Sequence, residues 1–118
     1  MENNTKRKIK FRVWDKTLAR YIPYNPFLAF QNPEYIFEQY TGLSDKNGKE
    51  IFEGDVVKFY GYNSGMEIVD SVCFDEGQFQ MCSSCWGLFD SLFDQSGQGI
   101  WLEIIGNLLE NPQLLKSE

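Results

Sequence analysis

The three cysteines are the residues whose possible chemistry is easiest to recognise in this sequence. Cys82 and Cys85 are separated by two residues, and Cys73 precedes them. Such a CxxC spacing lets two sulfurs face one metal ion or each other. A structural zinc site needs about four ligands, and the sequence contains no histidine to complete the set. The surroundings also lack a thioredoxin-like βαβ pattern. We therefore interpret the cysteines as buried or incidental thiols, with a metal site completed by another group as the alternative.

Glu50, Glu53 and Asp55 form a second candidate, a cluster of carboxylates that follows a turn. Carboxylates that converge in a pocket can transfer protons or hold Mg²⁺. No histidine, activated nucleophile or phosphate-binding loop accompanies them. The sequence therefore favours a solvated rim, where carboxylates keep an edge strand from pairing with other molecules. No catalytic, cofactor-binding or metal-ligating residue is predicted, and no cofactor is expected.

Lys8, Lys10, Arg12 and Trp14 alternate with apolar residues and share one face of a predicted strand. Cations beside an aromatic ring can follow a phosphate backbone and stack a base, so this face is a candidate nucleic-acid surface. The net charge of −6 opposes such an approach. Pairing of the cations with carboxylates on neighbouring strands is the alternative. The two interpretations differ in whether a carboxylate lies opposite each cation.

Alternation and turn residues predict many short strands and little helix. Asn47-Gly48 predicts a type I′ hairpin at residues 45–49, because both residues accept positive φ. Residues 75–78 predict a second hairpin, and Glu53-Gly54-Asp55 a bend. The predicted strands lie at 8–14, 35–40, 56–60, 66–74, 79–81 and 100–105, with helical turns at 88–93 and after Pro112. This pattern indicates a small barrel or a strongly bent antiparallel sheet.

The aromatic side chains between residues 27 and 40 have two open interpretations. They belong either to the core, which a small domain builds from large side chains, or to an exposed surface that binds a partner. The residues concerned are Phe27, Phe30, Tyr35, Phe37 and Tyr40.

Length and composition limit the class of protein. A chain of 118 residues fits one domain with a core of its own. No segment approaches the roughly 20 consecutive apolar residues that span a bilayer, and the N-terminus lacks the apolar core of a signal peptide. The odd number of cysteines agrees with a reducing compartment. We expect a cytosolic protein that does not bind a membrane.

Three segments in the same order resemble the YopX-like family of bacteriophage and prophage proteins. They are residues 8–15 (KIKFRVWD), 39–57 (QYTGLSDKNGKEIFEGDVV) and 104–115 (IIGNLLENPQLL). We expect one domain of this kind over residues 1–118, with flexible tails at 1–7 and 116–118. The expected fold is mainly β, a small bent antiparallel sheet or SH3-like barrel with short helical turns. The resemblance implies the SH3-like barrel character and a place in the cytoplasm of a bacterial host. It supplies no catalytic residues.

These observations lead to three hypotheses about function. The first is a phage or prophage accessory protein without enzymatic activity, which binds a protein partner or assembles with itself. The second is a nucleic-acid-associated accessory domain that uses the basic N-terminal strand. The third is a small metal-binding or carboxylate-based enzyme.

Overall fold

Eight strands and one short helix make up the regular structure of the described chain. The computed structural model describes residues 8–25, 32–60, 65–83, 92–94 and 96–115. The strands are β1 (Phe11–Asp15), β2 (Arg20–Ile22), β3 (Tyr35–Ser44), β4 (Glu50–Phe52), β5 (Asp55–Tyr60), β6 (Glu67–Asp75), β7 (Gln78–Met81) and β8 (Glu103–Asn107), followed by a 3₁₀ helix at Pro112–Leu115.

The strands form two antiparallel sheets of four strands each, in the orders β2-β1-β3-β4 and β7-β6-β5-β8. One of the sheets curls into a half-barrel. The prediction of a mainly β fold with a bent antiparallel sheet and short helical turns is therefore confirmed. A specific likeness to an SH3 barrel stays a prediction. No helix in the described ranges is long and apolar enough to cross a membrane.

The turn between β3 and β4 forms where it was predicted, but its type differs. The amide of Gly48 donates to the Asp45 carbonyl at 2.9 Å, and the amide of Asp45 donates to the Lys49 carbonyl at 2.8 Å. Gly48 has a φ of 83°, whereas Asn47 has no positive φ. The predicted type I′ conformation is therefore wrong, and a longer loop closes on one left-handed glycine. The Asp45 carboxylate explains the difference, because it accepts the amides of Asn47 and Lys49 at 2.9 Å each.

The type I′ signature occurs instead in the second predicted hairpin, between β6 and β7. Asp75 pairs with Gln78, which leaves two residues in the loop. These residues, Glu76 and Gly77, have φ values of 52° and 80°. A two-residue loop of type I′ has positive φ at both positions, so Glu76 adopts a conformation that non-glycine residues rarely occupy.

The main differences from the predicted strands occur at four places. β1 begins at Phe11 rather than at Lys8. β3 extends to Ser44 and pairs first with β1 and then with β4. β2 was not predicted, because three residues are too few to show an alternating pattern. The last strand begins at Glu103 rather than at Ile100. The predicted helical turn at 88–93 falls mostly outside the described residues, and the predicted flexible tails at 1–7 and 116–118 fall entirely outside them.

The hydrophobic core lies on the inner face of the second sheet. It is closed by the far end of β3, by β4 and by two residues outside the strands. The buried residues of this cluster are Leu43, Ile51, Val57, Phe59, Val72, Phe79, Met81, Leu92 and Leu102. The β4 to β5 turn joins the two sheets at this core, because the amide of Gly54 donates to the Val72 carbonyl and its carbonyl accepts the amide of Leu108, each at 2.8 Å.

Candidate functional site

The basic face of β1 meets acidic residues rather than open solvent. Arg12 lies directly opposite Glu38 of β3 in the strand register. Its Nε donates to Glu38 Oε1 at 2.7 Å, and the Tyr21 hydroxyl donates to the same oxygen at 2.7 Å. Trp14 is buried beside this group, with its ring 5.0 Å from that of Tyr21. Alternation along β1 places Arg12 and Trp14 on one side, as predicted, but this side faces the rest of the protein.

The Arg12 guanidinium also reaches the second sheet. Its Nη2 lies 2.8 Å from Asp55 Oδ1 and 3.2 Å from the Glu53 carbonyl oxygen. The rings of Tyr21 and Phe52 lie 4.8 Å and 4.9 Å from the guanidinium carbon. Charge, hydrogen bonds and ring stacking therefore all act on one planar group, a combination that lysine cannot provide.

We define the buried ion network as Arg12, Tyr21, Glu38 and Asp55. Burial affects the pKa values of its aspartate, its tyrosine and its arginine. Burial raises the pKa of Asp55 above its ordinary value, and the neighbouring Arg12 opposes the rise. Burial also raises the pKa of Tyr21, with a further rise from its hydrogen bond to Glu38. For Arg12 burial acts to lower the pKa, but the carboxylates of Asp55 and Glu38 outweigh it and the net pKa is raised. The tyrosine and arginine therefore keep their protons.

The other cations of the predicted nucleic-acid face have different surroundings. Lys10 Nζ lies 2.8 Å from Glu50 Oε2 and 5.6 Å from the centre of the Tyr40 ring. Lys8 is exposed. The structure therefore places a carboxylate opposite Lys10 and Arg12, while Lys8 faces solvent. This is the pairing pattern that the sequence offered as the alternative to nucleic-acid binding.

The predicted carboxylate cluster does not converge on one point, since each member has its own partner. Glu50 pairs with Lys10, and Glu53 Oε1 accepts the amide of Gln39 at 2.7 Å. Asp55 pairs with Arg12 through Oδ1 and accepts the amide of Phe52 through Oδ2 at 2.8 Å. These carboxylates join β1, β3 and β5, so they position strands rather than face a shared pocket.

The structure describes two of the three cysteines. Cys73 lies in β6 and is half-buried, and Cys82 follows β7 and is exposed. Cys85 lies outside the described residues, so the CxxC geometry is not seen. Among the residues that the structure describes, no group of three or more His, Cys, Asp or Glu side chains is arranged to hold a metal ion.

Some of the aromatic residues that the sequence singled out pack against other aromatic rings of the first sheet. The Phe37 ring lies 6.2 Å from Phe11 and 6.4 Å from Tyr24, and Phe11 and Tyr24 lie 5.9 Å apart. Tyr40 packs on Phe52 at 5.6 Å. Phe27 and Phe30 fall outside the described residues. Tyr35, Phe37 and Tyr40 are half-buried, so they lie between the core and the exposed surface that the sequence left open.

Two residues predicted as part of a buried strand form the most exposed apolar feature near β8. We call Ile100 and Trp101 the Trp101 platform; their exposed fractions are 43% and 62%. The flanking backbone is fixed: the amide of Gly99 donates to the Ser44 carbonyl at 2.7 Å, and the Leu102 carbonyl accepts the amide of Lys46 at 2.9 Å. A buried apolar run and an exposed one look alike in sequence, so the sequence patterns did not reveal that Ile100 and Trp101 are exposed.

The architecture is that of a small all-β protein in which a buried ion network joins two antiparallel sheets. The sequence profile of the YopX protein family matches residues 25–116, and the chain belongs to this family. The crystal structure of protein EF1440 from Enterococcus faecalis is similar, with a TM-score of 0.66 and 24% identity over 94% of this chain and 100% of that one.

The crystal structure of protein yopX from Bacillus subtilis is also similar, with a TM-score of 0.57 and 19% identity. The match covers 90% of this chain and 97% of that one. At these identities the two structures establish the fold. No curated protein sequence matches the chain significantly.

Proposed function

We propose that this chain is a protein-binding module without enzymatic activity, an accessory protein of a phage or prophage that works in the bacterial cytoplasm. The observation that carries the proposal is the Trp101 platform, which presents 62% of the Trp101 residue surface to solvent. Tryptophan is among the residues that contribute most binding energy when a protein partner buries them. Keeping it exposed in the free protein has no benefit for folding.

The fixed backbone on both sides of the platform supports a binding role. Gly99 and Leu102 are both buried, and Leu102 belongs to the hydrophobic core. The amide of Ile100 also donates to the Leu92 carbonyl at 2.9 Å. A side chain on a backbone fixed at both ends loses less conformational entropy when a partner binds. The platform is therefore preorganised for recognition.

Charged residues around the platform suit a selective contact. The Lys46 ammonium lies 3.6 Å from Glu103 Oε1, and both side chains are partly exposed. Apolar centres surrounded by polar groups are typical of protein interfaces. The members of the buried ion network, by contrast, form their hydrogen bonds and ion pairs with one another. Among the described residues no buried side-chain nitrogen or oxygen lacks a hydrogen-bond partner.

The test is affinity capture from infected or lysogenic bacterial cells with the tagged chain, in parallel with and without nuclease treatment. A captured protein is identified by mass spectrometry, purified and titrated against the wild type and Trp101→Ala. We expect the capture to resist nuclease and the substitution to weaken binding at least about tenfold, as for an interface hot spot. Leu18→Ala is the matched control, because Leu18 is also an exposed apolar residue, at 52%.

Two results would contradict the proposal. Loss of every captured protein after nuclease treatment would favour the nucleic-acid hypothesis. Equal binding by the wild type and Trp101→Ala would remove the platform from the interface. Because Trp101 is largely exposed, its substitution should change the free energy of unfolding by no more than about 0.5 kcal/mol. Failure to fold therefore does not confuse the measurement.

A further inference from the structure

The strand register makes neighbours of Cys82, which belongs to the CxxC motif, and Cys73, which lies outside it. Cys73 lies opposite Gln80 in the β6 to β7 ladder. The amide of Cys82 donates to the Ser71 carbonyl at 2.8 Å, which continues that ladder by one step. Cys82 is two residues from Gln80, so alternation places it on the same face as Cys73. The two cysteines are therefore diagonal neighbours across an antiparallel pair.

The two thiols differ in exposure. Cys82 is exposed and can meet a reagent from solution, whereas Cys73 is half-buried. Burial raises the pKa of Cys73 to about 12, and the neighbouring Cys82 thiol adds to the rise. One thiol of the pair is thus accessible, and its neighbour is partly shielded.

We propose that Cys73 and Cys82 form a reversible dithiol–disulfide site that reacts with hydroperoxides. The Cys82 sulfur attacks one peroxide oxygen, the O–O bond breaks, and water or an alcohol leaves with a sulfenic acid on Cys82. The Cys73 sulfur then attacks the Cys82 sulfur, the S–O bond breaks, and hydroxide leaves with the Cys73 proton as water. The two thiols lose two electrons in total, and the peroxide gains them. A small thiol reverses the reaction by exchange.

The position of the pair favours reversible closure. Diagonal neighbours in a sheet have Cα atoms about 7–8 Å apart, near or beyond the upper limit for an unstrained disulfide. Closure therefore requires a shift of one backbone. Cys82 lies just beyond Met81, the last residue of β7, so its shift has to loosen the hydrogen bond of its amide with Ser71. Strained disulfides are more easily reduced than structural ones.

The test uses the full chain and three single substitutions, each of which leaves a different pair of cysteines. Cys85→Ser leaves Cys73 with Cys82, Cys73→Ser leaves the CxxC pair, and Cys82→Ser leaves the remaining combination. Each protein is treated with hydrogen peroxide, alkylated and examined by intact mass and peptide mapping. We expect Cys85→Ser to form the internal disulfide as fast as the wild type, within about twofold, and Cys73→Ser to form it at least about tenfold more slowly. Dithiothreitol should reverse the reaction.

Closure that is lost in Cys85→Ser and kept in Cys73→Ser would overturn the proposal in favour of the CxxC pair. Absence of an internal disulfide in all proteins would also overturn it. Circular dichroism of each reduced variant establishes that it is folded before oxidation. The site is independent of the Trp101 platform, so partner capture by the reduced protein can succeed or fail without affecting this result.

Discussion

Arg12 Nη2 and Asp55 Oδ1 lie 2.8 Å apart and join β1 of one sheet to β5 of the other. The same guanidinium holds Glu38 of β3 through Nε. One side chain thus connects three strands that are distant in sequence. Its two carboxylate partners are nearly buried, with side-chain exposures of 9% for Glu38 and 3% for Asp55.

Arg12→Met keeps the aliphatic stem but leaves both carboxylates without their cation. Because an unpaired buried charge is costly and Arg12 itself is partly exposed, we expect the free energy of unfolding to fall by about 2–4 kcal/mol at neutral pH. Urea denaturation followed by tryptophan fluorescence measures the loss. Lys10→Met is the matched control, since the Lys10–Glu50 pair is more exposed and should be worth less than about 1 kcal/mol. Equal losses would contradict a special role for Arg12.

Asp55→Asn tests the raised pKa of Asp55. Above the ordinary carboxyl pKa of 3.8, the unfolded chain releases this proton while the folded protein still holds it. The folded state therefore binds more protons in this window, and the stability contributed by Asp55 falls as pH rises through its folded pKa. The difference in unfolding free energy, wild type minus Asp55→Asn, should therefore decrease as the pH rises above 3.8. An increase would mean that attraction to Arg12 dominates burial.

Gly54→Ala should disrupt the contact between the β4 to β5 turn and the ion network. Gly54 has a φ of 86°, and a Cβ there would collide with the Glu38 carboxylate. We expect a loss of about 1–3 kcal/mol from the backbone conformation and a further loss from displacement of Glu38. Gly77→Ala is the control, because Gly77 has a φ of 80° but no atom within 4 Å of the added Cβ. Similar melting temperatures for both variants would show that the collision is relieved without cost.

Asp45→Ala should weaken the link between the β3 to β4 hairpin and β8. The Asp45 carboxylate is buried and accepts the amides of Asn47, Lys49 and Ile104, the last at 3.1 Å. Because buried amides would lose their acceptor, we expect a loss of about 2–4 kcal/mol in urea denaturation.

Asp94→Ala is the matched control for Asp45→Ala. Asp94 accepts the Ser96 hydroxyl and the amides of Gln98 and Ser96 in a similar loop, and these hydrogen bonds lower its pKa. It is exposed, so water can replace its side chain, and its loss should be clearly smaller. Comparable losses of stability for Asp45→Ala and Asp94→Ala would show that Asp45 stabilises the protein through its turn alone and not through its link to β8.

Local features of the fold were largely predictable. The turns at Asp45–Lys49 and Asp75–Gln78 were correctly located, because glycine and carboxylate side chains favour reversals over four or five residues. The type of each turn was not predictable from Asn47-Gly48 alone. The Asp45 carboxylate satisfies a longer loop there, and sheet pairing forces Glu76 into a conformation that the residue itself disfavours.

The candidate sites were less predictable, since they depend on which strands become neighbours. The sequence identified Arg12 and Asp55 as candidates but assigned them to separate surfaces, one for nucleic acid and one for carboxylate chemistry. In the structure they are partners. Likewise Cys82 appeared to belong with Cys85, whereas the register brings it to Cys73.

The amino-acid sequence by itself determined the fold class, the places of the turns and membership of a family, because alternation, turn chemistry and motif order are readable within short segments. The tertiary structure decided which charges are buried, which cysteines are neighbours and that Trp101 faces solvent. These properties arise between residues such as Arg12 and Asp55 that are far apart along the chain, and they depend on the pairing of whole strands. Short-range patterns carry no information about that pairing beyond the hairpins themselves.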